Sequence, residues 1–247
     1  MVFNKENIKT IAIVGARSGS RSLEDKNIRS LLGKPLMAWV ITAAKNAKLI
    51  DRVLVSTDSQ KYADIAKEYG AEAPFLRPKE MATDSSHDLE YLTHALNWLK
   101  DNEGYVPDIV FKVSANCPLF KSEYFDQCVK LFIEDPVLDT VYPAFKADKH
   151  PYKMWKVENE RLRPLFTPEA TGFKEPFNMS RQLLPPVYIH CGVFSLRYDT
   201  IMEMKATIGK EIGYIEIPPE DGFDIDNKVD LKLAEMLLKK RENLFLE

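Results

Sequence analysis

The sequence predicts an α/β fold: a doubly wound, mainly parallel sheet in three layers, with helices on both faces. Three observations support this prediction. Apolar, β-rich runs alternate with amphipathic helical stretches in βαβα order. The 247 residues are enough to bury a substantial core. A short cationic loop directly follows the first apolar run, and ligands of such sheets bind beyond the carboxyl ends of the strands.

The predicted strands are short apolar runs bounded by turn residues, at positions 10–14, 52–57, 73–76, 108–114, 140–144, 188–196 and 213–217. Helical periodicity predicts helices at 35–47, 61–69, 89–100, 123–133 and 228–240. Pro35 suits the first position of the first helix, and Asp84 and Ser85 precede the third as caps. The last helix is expected to bury the face formed by Val229, Leu233, Met236 and Leu237.

Residues 146–187 interrupt this alternation. They carry six of the 15 prolines and show weak periodicity. A loop of this length in a compact domain is usually functional, or is an arm that packs on another body. It also contains large apolar side chains that need burial, namely Trp155, Leu162, Leu165, Phe166, Phe173 and Phe177. We therefore expect residues 1–247 to form a single domain in which residues 146–187 are an inserted arm.

Composition excludes several classes of partner. The 34 basic and 37 acidic residues leave a net charge of −3, so no overall field attracts nucleic acid or an anionic membrane. Residues 1–7 contain no apolar signal core, and no run approaches the length of a membrane span. Cys117, Cys128 and Cys191 suit neither a disulfide framework nor a zinc site. We expect a cytoplasmic protein without nucleic-acid or membrane partners.

The loop after the first strand concentrates groups that bind phosphate. Arg17, Arg21 and Lys26 supply positive charge, and Gly15 and Gly19 allow the backbone to approach a ligand closely. Hydroxyl donors are added by Ser18, Ser20 and Ser22. The spacing fits neither the P-loop nor the dinucleotide-binding fingerprint, which removes the best support for an ATPase or an NAD enzyme. The residues alone leave two interpretations open, a polyphosphate site and a solvated turn.

A pair of acids lies just before the last helix. On an extended segment, residues two apart project to the same side, so Asp224 and Asp226 can direct both carboxylates at one hard cation. Two carboxylates together with substrate phosphate oxygens are a common way to hold Mg²⁺. The alternative is a helix N-terminus with acidic capping residues. The cationic loop favours the Mg²⁺ interpretation, because a nucleotide bound with its metal needs both features.

These motifs resemble those of the acylneuraminate cytidylyltransferases, enzymes of the CMP-N-acetylneuraminic acid synthetase type. The first loop is similar to the signature A-R-x-G-S-K-G-x-x-x-K-N-[IL] and matches it at Ala16, Arg17, Gly19, Ser20, Lys26 and Asn27. Arg21 and Ser22 stand where the family has lysine and glycine. The resemblance extends over nearly the whole chain, through V-S-T-D at 55–58, R-P at 77–78 with Ser86 downstream, H-P-x-K at 150–153 and R-Q-x-L-P at 181–185.

The resemblance implies a nucleotide-diphospho-sugar transferase-like fold and a Mg²⁺-dependent transfer of CMP from CTP to the anomeric hydroxyl of an acidic 2-keto sugar, with release of pyrophosphate. It implies catalytic roles for Arg17, Arg21, Lys26 and Asp226, and metal binding by Asp224 and Asp226. The nucleotide would contact Ala16, Arg17, Ser20, Arg21, Lys26, Asn27, Arg77 and Ser86. The acceptor would contact Asn116, Lys153, Arg181 and Gln182, with Arg181 as the bidentate partner of its carboxylate. The resemblance also implies a homodimer formed through the arm.

Two departures from the family leave the acceptor open. Ser114-Ala115-Asn116-Cys117 stands where relatives carry Q-P-T-S, and His190-Cys191-Gly192 stands where they carry N-G. The acceptor could be a sialic-acid relative such as legionaminic or pseudaminic acid, an octulosonic acid, or a phosphonate. Two other classes also remain. A metal-dependent glycosyltransferase uses Asp-x-Asp too, although normally in the middle of the chain, and a non-catalytic nucleotide-binding subunit could keep the fold without turnover.

Overall fold

The computed structural model describes residues 8–20 and 23–244. They form two compact units, the first comprising the chain up to Ala144 and from His190 onward, and the second comprising Phe145–Ile189. In chain order the strands are β1 (Thr10–Gly15), β2 (Ser30–Leu31), β3 (Lys34–Pro35), β4 (Arg52–Ser56), β5 (Ile109–Ser114), β6 (Thr140–Lys146), β7 (Trp155–Glu158), β8 (Arg161–Pro164), β9 (Tyr188–His190), β10 (Val193–Arg197) and β11 (Ile212–Glu216). The helices are α1 (Leu36–Asn46), α2 (Gln60–Glu68), α3 (Asp88–Glu103), α4 (Ser122–Glu134), α5 (Pro168–Thr171), α6 (Tyr198–Met202) and α7 (Lys228–Leu244).

The first unit is built on a mixed sheet with the strand order β11-β6-β10-β5-β1-β4. β1 lies parallel to both β4 and β5, with Ile13 opposite Leu54 on one side and Lys112 on the other. β10 is antiparallel to β5 and β6, whereas β11 is parallel to β6. The mainly parallel sheet is therefore confirmed, with β10 as the one reversed strand on this path. The carboxyl ends of β1, β4 and β5 lie side by side at one edge.

Helices cover both faces of this sheet, as the doubly wound fold requires. On one face, Ile13 of β1 belongs to an apolar cluster with Leu92 and Leu96 of α3. On the other face, the ring of Phe111 in β5 lies 5.1 Å from that of Phe125 in α4, measured between centroids. Successive side chains of a strand point to opposite faces, so each apolar run of the sequence supplies both layers at once.

The predicted strand at 73–76 is wrong. Glu72 makes a single bridge to β4, donating from its N–H to the carbonyl of Val53 and accepting from the N–H of Val55. Pro74 follows, and a proline has no N–H with which to extend a ladder. The chain then crosses to the end of β4, where the Arg77 N–H donates to the carbonyl of Thr57.

The predicted strand at 188–196 is two strands, β9 and β10, divided at Cys191 and Gly192. The division has a steric reason. A Cβ atom on Gly192 would lie 2.9 Å from the side chains of Asp224, Cys117 and Ser114. Only glycine lets the backbone come this close to the Asp224 carboxylate.

The predicted buried face of the last helix is largely wrong. In α7 the chain buries Ala234 and Leu238 against Leu36 and Leu119, and Leu237 packs partly against the same cluster. The side chains of Val229, Leu233 and Met236, predicted to be buried, are exposed instead. Periodicity locates an apolar stripe but does not say on which side the body of the protein lies. Among the described helices, α7 included, none is both long and apolar enough to cross a bilayer.

The second unit consists of a short hairpin and several turns. β7 and β8 pair antiparallel, joined by Asn159 and Glu160, both with positive φ. Around the hairpin, Tyr152 lies against the rings of Phe166 and Phe173, with centroids 5.4 Å and 6.4 Å away. This small aromatic cluster takes the place of a larger core.

Candidate active site

A cavity of about 200 Å³ opens at the edge of the sheet where β1 and β5 end. Four parts of the chain surround it: the end of β1 with the loop after it, Arg77, the start of α3 with the two residues before it, and the end of β5. Its described lining residues are Gly15, Arg17, Ser20, Lys26, Asn27, Arg77, Ser86, His87, Asp88, Tyr91, Lys112, Val113, Ser114, Ala115 and Asn116. Seven residues predicted from motifs far apart in the sequence thus lie around one cavity: Arg17, Ser20, Lys26, Asn27, Arg77, Ser86 and Asn116. Six of these belong to the predicted nucleotide set and Asn116 to the predicted acceptor set; Ala16, the remaining described member of the nucleotide set, is fully buried.

The start of the loop after β1 is fixed by contacts to the end of β4 and to Asp58, which follows that strand. The N–H of Ala16 donates to the carbonyl of Ser56 at 3.0 Å. Asp58 accepts two bonds from Ser18, one from its N–H at 2.7 Å and one from its hydroxyl at 2.6 Å. Gly19 has a φ of 73°, which favours glycine. Residues 16–18 at the start of the loop are therefore held in place by contacts within the protein. Arg21, predicted to contact the phosphates, lies outside the described residues.

The cations of the loop are paired with carboxylates. Arg17 donates to Asp84 at 2.7 Å, and Lys26 donates to Asp226 at 3.1 Å. Asn27 is buried and donates from its side-chain amide to the carbonyl of Arg17 at 3.0 Å. Asn27 thus supports the shape of the loop, a role that the sequence did not predict.

Gly15 has a different role from the predicted one. A Cβ atom at this position would lie 2.9 Å from the ring of Tyr91 and 3.0 Å from its hydroxyl oxygen. The space next to the Gly15 backbone is therefore filled by the Tyr91 phenol, not left open for a ligand. Tyr91 in turn lies under the guanidinium of Arg77, whose central carbon is 4.4 Å from the ring centroid.

Arg77 is a buried cation of the cavity wall. Its Nε donates to the Ser56 hydroxyl at 3.0 Å, and its Nη2 donates to the Ser56 carbonyl at 2.6 Å. Burial lowers the pKa of its guanidinium, against the neighbouring charges of Tyr91 and Asp58. Ser86, on the other side of the cavity, contacts the Thr83 hydroxyl at 2.9 Å. Both predicted residues line the cavity, each with its polar group already hydrogen-bonded.

The two predicted metal ligands differ in environment. Asp224 is half-buried and accepts a bond from the Cys117 thiol at 2.8 Å. Burial raises the pKa of its carboxyl, although the bond from Cys117 and the charge of Lys112 act in the opposite direction. The Asp226 side chain is 71% exposed and bonds to Lys26. The two carboxylates therefore differ in exposure.

Asn116 fixes the segment that carries these acids. It accepts from the Ile225 N–H at 2.9 Å through its backbone carbonyl and donates to the Ile225 carbonyl at 3.0 Å through its side chain. The same amide lies 3.4 Å from the Asp226 carboxylate. The acids are followed at once by α7, whose first turn is capped by Asn227 and Asp230. Because Ile225 is fully buried, its two acidic neighbours are held at fixed positions.

This donor set fits a hard divalent cation of the Mg²⁺ type. Within the described residues, no group of three or more potential metal ligands occurs. Mg²⁺ needs fewer, because it usually keeps several waters and is bound through one or two carboxylates together with substrate phosphates. Asp224 and Asp226, whose charges interact, meet that requirement.

Lys112 and Asp88 are among the cavity residues that the sequence analysis missed. Lys112 lies within the apolar strand β5 and forms an ion pair with Asp88 at 3.0 Å. A lysine inside an otherwise apolar strand was a usable signal, since burying an ammonium is costly. Asp88, at the start of α3, gave no such signal because acids are common in the first turn of any helix.

Three predicted acceptor contacts belong to the second unit. Lys153 ends the turn Pro151–Lys153. Arg181 and Gln182 line a second cavity of about 460 Å³ inside that unit. There Arg181 donates to the backbone carbonyl of Asp148 at 3.1 Å, and His150 is held between the Tyr152 N–H and the Pro185 carbonyl.

Known proteins resemble this chain over most of its length. The family model described as Cytidylyltransferase matches residues 11–246. N-acylneuraminate cytidylyltransferase from Escherichia coli is 29% identical over 236 residues, which cover 94% of this chain and 53% of that protein. The chain thus spans about half the length of that relative. Pseudaminic acid cytidylyltransferase from Campylobacter jejuni is 32% identical over 240 residues, covering 94% of this chain and 97% of that protein.

The fold also occurs among solved structures. CMP:2-keto-3-deoxy-manno-octonic acid synthetase, determined in complex with CTP, superimposes with a TM-score of 0.68 at 16% identity. The superposition covers 94% of this chain and 99% of that one. The α/β fold predicted from the sequence is confirmed.

Proposed function

This chain belongs to the cytidylyltransferase family, and we propose that it transfers CMP from CTP to the anomeric hydroxyl of an acidic 2-keto sugar, releasing pyrophosphate. One observation carries the proposal. The bond between Lys26 and Asp226, 3.1 Å long, joins the cationic loop after β1 to the acidic pair before α7. A phosphate-binding cation and a metal-binding carboxylate at this distance suit a nucleotide triphosphate that arrives with its metal.

Binding of CTP requires two ion pairs of the site to exchange partners. Arg17, now paired with Asp84, and Lys26, now paired with Asp226, turn to the phosphates, and the Ser20 hydroxyl adds a donor. Asp226 is thereby released to act with Asp224 on Mg²⁺. Mg²⁺ held by these two carboxylates would neutralise the negative charge that develops on the leaving pyrophosphate. Arg21 is proposed to join the phosphate contacts, as its place in the signature implies.

The remaining residues position the reactants. Arg77, held by Ser56 and Tyr91, and Ser86 border the nucleoside end of the site. The acceptor hydroxyl attacks the α-phosphorus, and Asp226 accepts its proton. Such a reaction depends on in-line positioning and charge neutralisation more than on covalent chemistry, which agrees with a cavity lined by fixed cations and carboxylates.

The acceptor is proposed to be a sialic-acid-like nonulosonic acid. Two relatives that share most of this chain are named for such substrates, N-acylneuraminate and pseudaminic acid. A 2-keto acid of this class carries a carboxylate beside the reacting hydroxyl. Asn116 borders the cavity, and Lys153, Arg181 and Gln182 of the second unit are proposed as further acceptor contacts.

The test is release of pyrophosphate from CTP and Mg²⁺ with a panel of acids. The panel contains N-acetylneuraminic, legionaminic and pseudaminic acids, an octulosonic acid and a phosphonate. We expect a nonulosonic acid to give the highest kcat/KM. Turnover only with the octulosonic acid or the phosphonate would change the substrate class. Binding of CTP without turnover on any acceptor would indicate a nucleotide-binding subunit, and transfer of sugar from a nucleotide sugar would indicate a glycosyltransferase.

The protein is further proposed to act as a homodimer. The hairpin of the second unit supports this, because Val157 and Leu162 are directly opposite each other and both are exposed. Side chains opposite each other in a hairpin lie on the same face. Trp155, two residues before Val157, shares that face and is also exposed. A second copy of the chain is proposed to bind this exposed apolar face.

A further inference from the structure

Lys112 is a buried cation at the edge of the active-site cavity. The residue is only 9% exposed, yet it lines the cavity beside the end of β5. Its ammonium lies 3.0 Å from the Asp88 carboxylate and 2.9 Å from the Ser114 hydroxyl, with the Gly192 carbonyl at 3.5 Å. The apolar stem runs along the core, where the ring of Phe194 lies 5.3 Å from the ammonium.

The pairing with Asp88 does not by itself explain a lysine at this position. An ion pair at a half-buried site contributes little net stability, because the desolvation of both charges opposes their attraction. The Asp88 side chain is 45% exposed and can be solvated without Lys112. An apolar residue would fit the strand better, since Ile109, Val110, Phe111 and Val113 surround the position. Stability of the fold therefore does not explain why a lysine occupies position 112.

The chemistry of a 2-keto acid sugar supplies such a reason. The carboxylate and the reacting hydroxyl are attached to the same carbon, so the carboxylate must come close to the triphosphate whenever the hydroxyl attacks. Two anions at this distance repel each other unless a cation lies between or beside them. That cation must lie near the metal-binding acids. Lys112 does so, because its ammonium lies 3.5 Å from the carbonyl of Gly192, a residue whose backbone comes close to the Asp224 carboxylate.

We propose that Lys112 binds the carboxylate of the acceptor and thereby selects acidic sugars. This inference rests on the proposed function and deepens it. The loop cations are occupied by phosphate in that scheme, whereas Lys112 approaches from the floor of the cavity, on β5. The acceptor carboxylate replaces the exposed Asp88 carboxylate as the partner of the ammonium, and Ser114 keeps the ammonium in position. Lys112 and Ser114 both line the cavity.

The test compares acid and amide forms of the same acceptor. Binding to the protein loaded with Mg²⁺ and a non-hydrolysable CTP analogue is measured by calorimetry, using N-acetylneuraminic acid, pseudaminic acid and their C1 carboxamides. The parent protein is expected to bind an acid at least roughly tenfold more tightly than its carboxamide, the usual size of a charge-assisted contact. Lys112→Met should remove this preference while the affinity for the CTP analogue stays within about twofold. An unchanged preference in the variant would overturn the proposal.

Asp88→Asn separates this role from a structural one. If Lys112 only stabilises the start of α3 through Asp88, both variants lose the same property and weaken acid and amide alike. If Lys112 binds the acceptor, Asp88→Asn removes a competitor and should tighten acid binding. Failure of the parent to prefer either acid over its amide overturns the Lys112 assignment alone. The proposed function falls separately, if the parent fails to release pyrophosphate from CTP with every acid of the panel.

Discussion

The two units of the chain differ in which side chains they bury and which they expose. The first unit buries cationic side chains. Arg77 is 5% exposed and Lys112 is 9% exposed, and each is held by hydrogen bonds. The second unit presents apolar groups outward, with Val157 71% exposed and Leu162 63%. Buried cations are expensive and mark a binding site, whereas exposed apolar side chains on one face mark a surface that another protein covers. In the proposed scheme, the first unit binds the nucleotide and the second unit associates with another copy of the chain.

The largest expected effect concerns the acids of the first unit. Asp226→Ala should lower turnover by at least roughly a hundredfold, because the proposed scheme loses a metal ligand. The midpoint of thermal unfolding should change little, because the Asp226 side chain is 71% exposed. Pyrophosphate release and thermal unfolding are measured on the same preparation.

Asp101→Ala is the matched control, since Asp101 is an exposed acid at the far end of α3. It should retain parental turnover. Chelation with EDTA should abolish turnover of the parent enzyme and of the control alike. Parental activity in EDTA would remove the metal from the scheme, and parental activity of Asp226→Ala would remove this ligand.

The second effect concerns the apolar face of the hairpin. The double substitution of Val157 and Leu162 by Asp should convert the protein from a mass near twice 28.3 kDa to a mass near 28.3 kDa in light scattering. Turnover should fall in parallel if the arm completes the site of a second copy. Phe166 and Phe173 are poorer targets, because both pack on Tyr152 inside the unit.

Arg161→Ser provides the control for the hairpin, because Arg161 is opposite Glu158 and lies on the other face. It should leave the mass unchanged. A parent protein that is already a monomer with full turnover would show that the apolar face is covered in some other way.

The sequence predicted the fold best where burial alone decides the structure. β1 was predicted to within one residue, since its apolar run is buried on both faces of a parallel sheet. Prediction failed where a tertiary contact decides. Pro74 stops a ladder that the apolar residues around it suggest, and Gly192 breaks a strand to approach Asp224. For α7, an exposed Val229 shows that amphipathic spacing does not identify the buried side.

For the candidate site, motif residues were easier to predict than the residues that support them. Arg17, Lys26 and Asn116 were predicted and line the cavity, because charge and loop position mark them in the sequence. Tyr91 was missed, since an aromatic residue within an amphipathic helix is typical of a core. Its contact with Gly15 depends on how α3 crosses the end of β1, which no local pattern encodes.

The smallest expected effect concerns the stability that the protein loses by burying the Asp224 carboxylate. Burial raises the pKa of Asp224 above its ordinary value, so the folded protein binds this proton more tightly than the unfolded chain does. Without metal, the contribution of this group to stability therefore falls as the pH rises through the raised pKa. Asp224→Asn removes the buried charge and should raise the stability of the metal-free protein at neutral pH by about 1 kcal/mol, or the midpoint by roughly 2–4 °C. The gain should vanish at a pH well below the pKa of the carboxyl, where Asp224 is protonated in the parent.

In Mg²⁺ with CTP the parent should be more stable than Asp224→Asn, the reverse of the order without metal. The reason is that a metal stabilises the folded protein only where its ligands are intact. Thermal unfolding of the parent and of Asp224→Asn, each in EDTA and in Mg²⁺ with CTP, measures both signs in one experiment. Asp226→Asn is the control in EDTA, since its exposed carboxylate bears no burial cost and the substitution should bring no gain. Equal midpoints of parent and Asp224→Asn in EDTA at neutral pH would show that the Cys117 thiol and the Lys112 charge already offset the burial of Asp224. Burial of the Asp224 carboxylate would then not lower the stability of the folded protein.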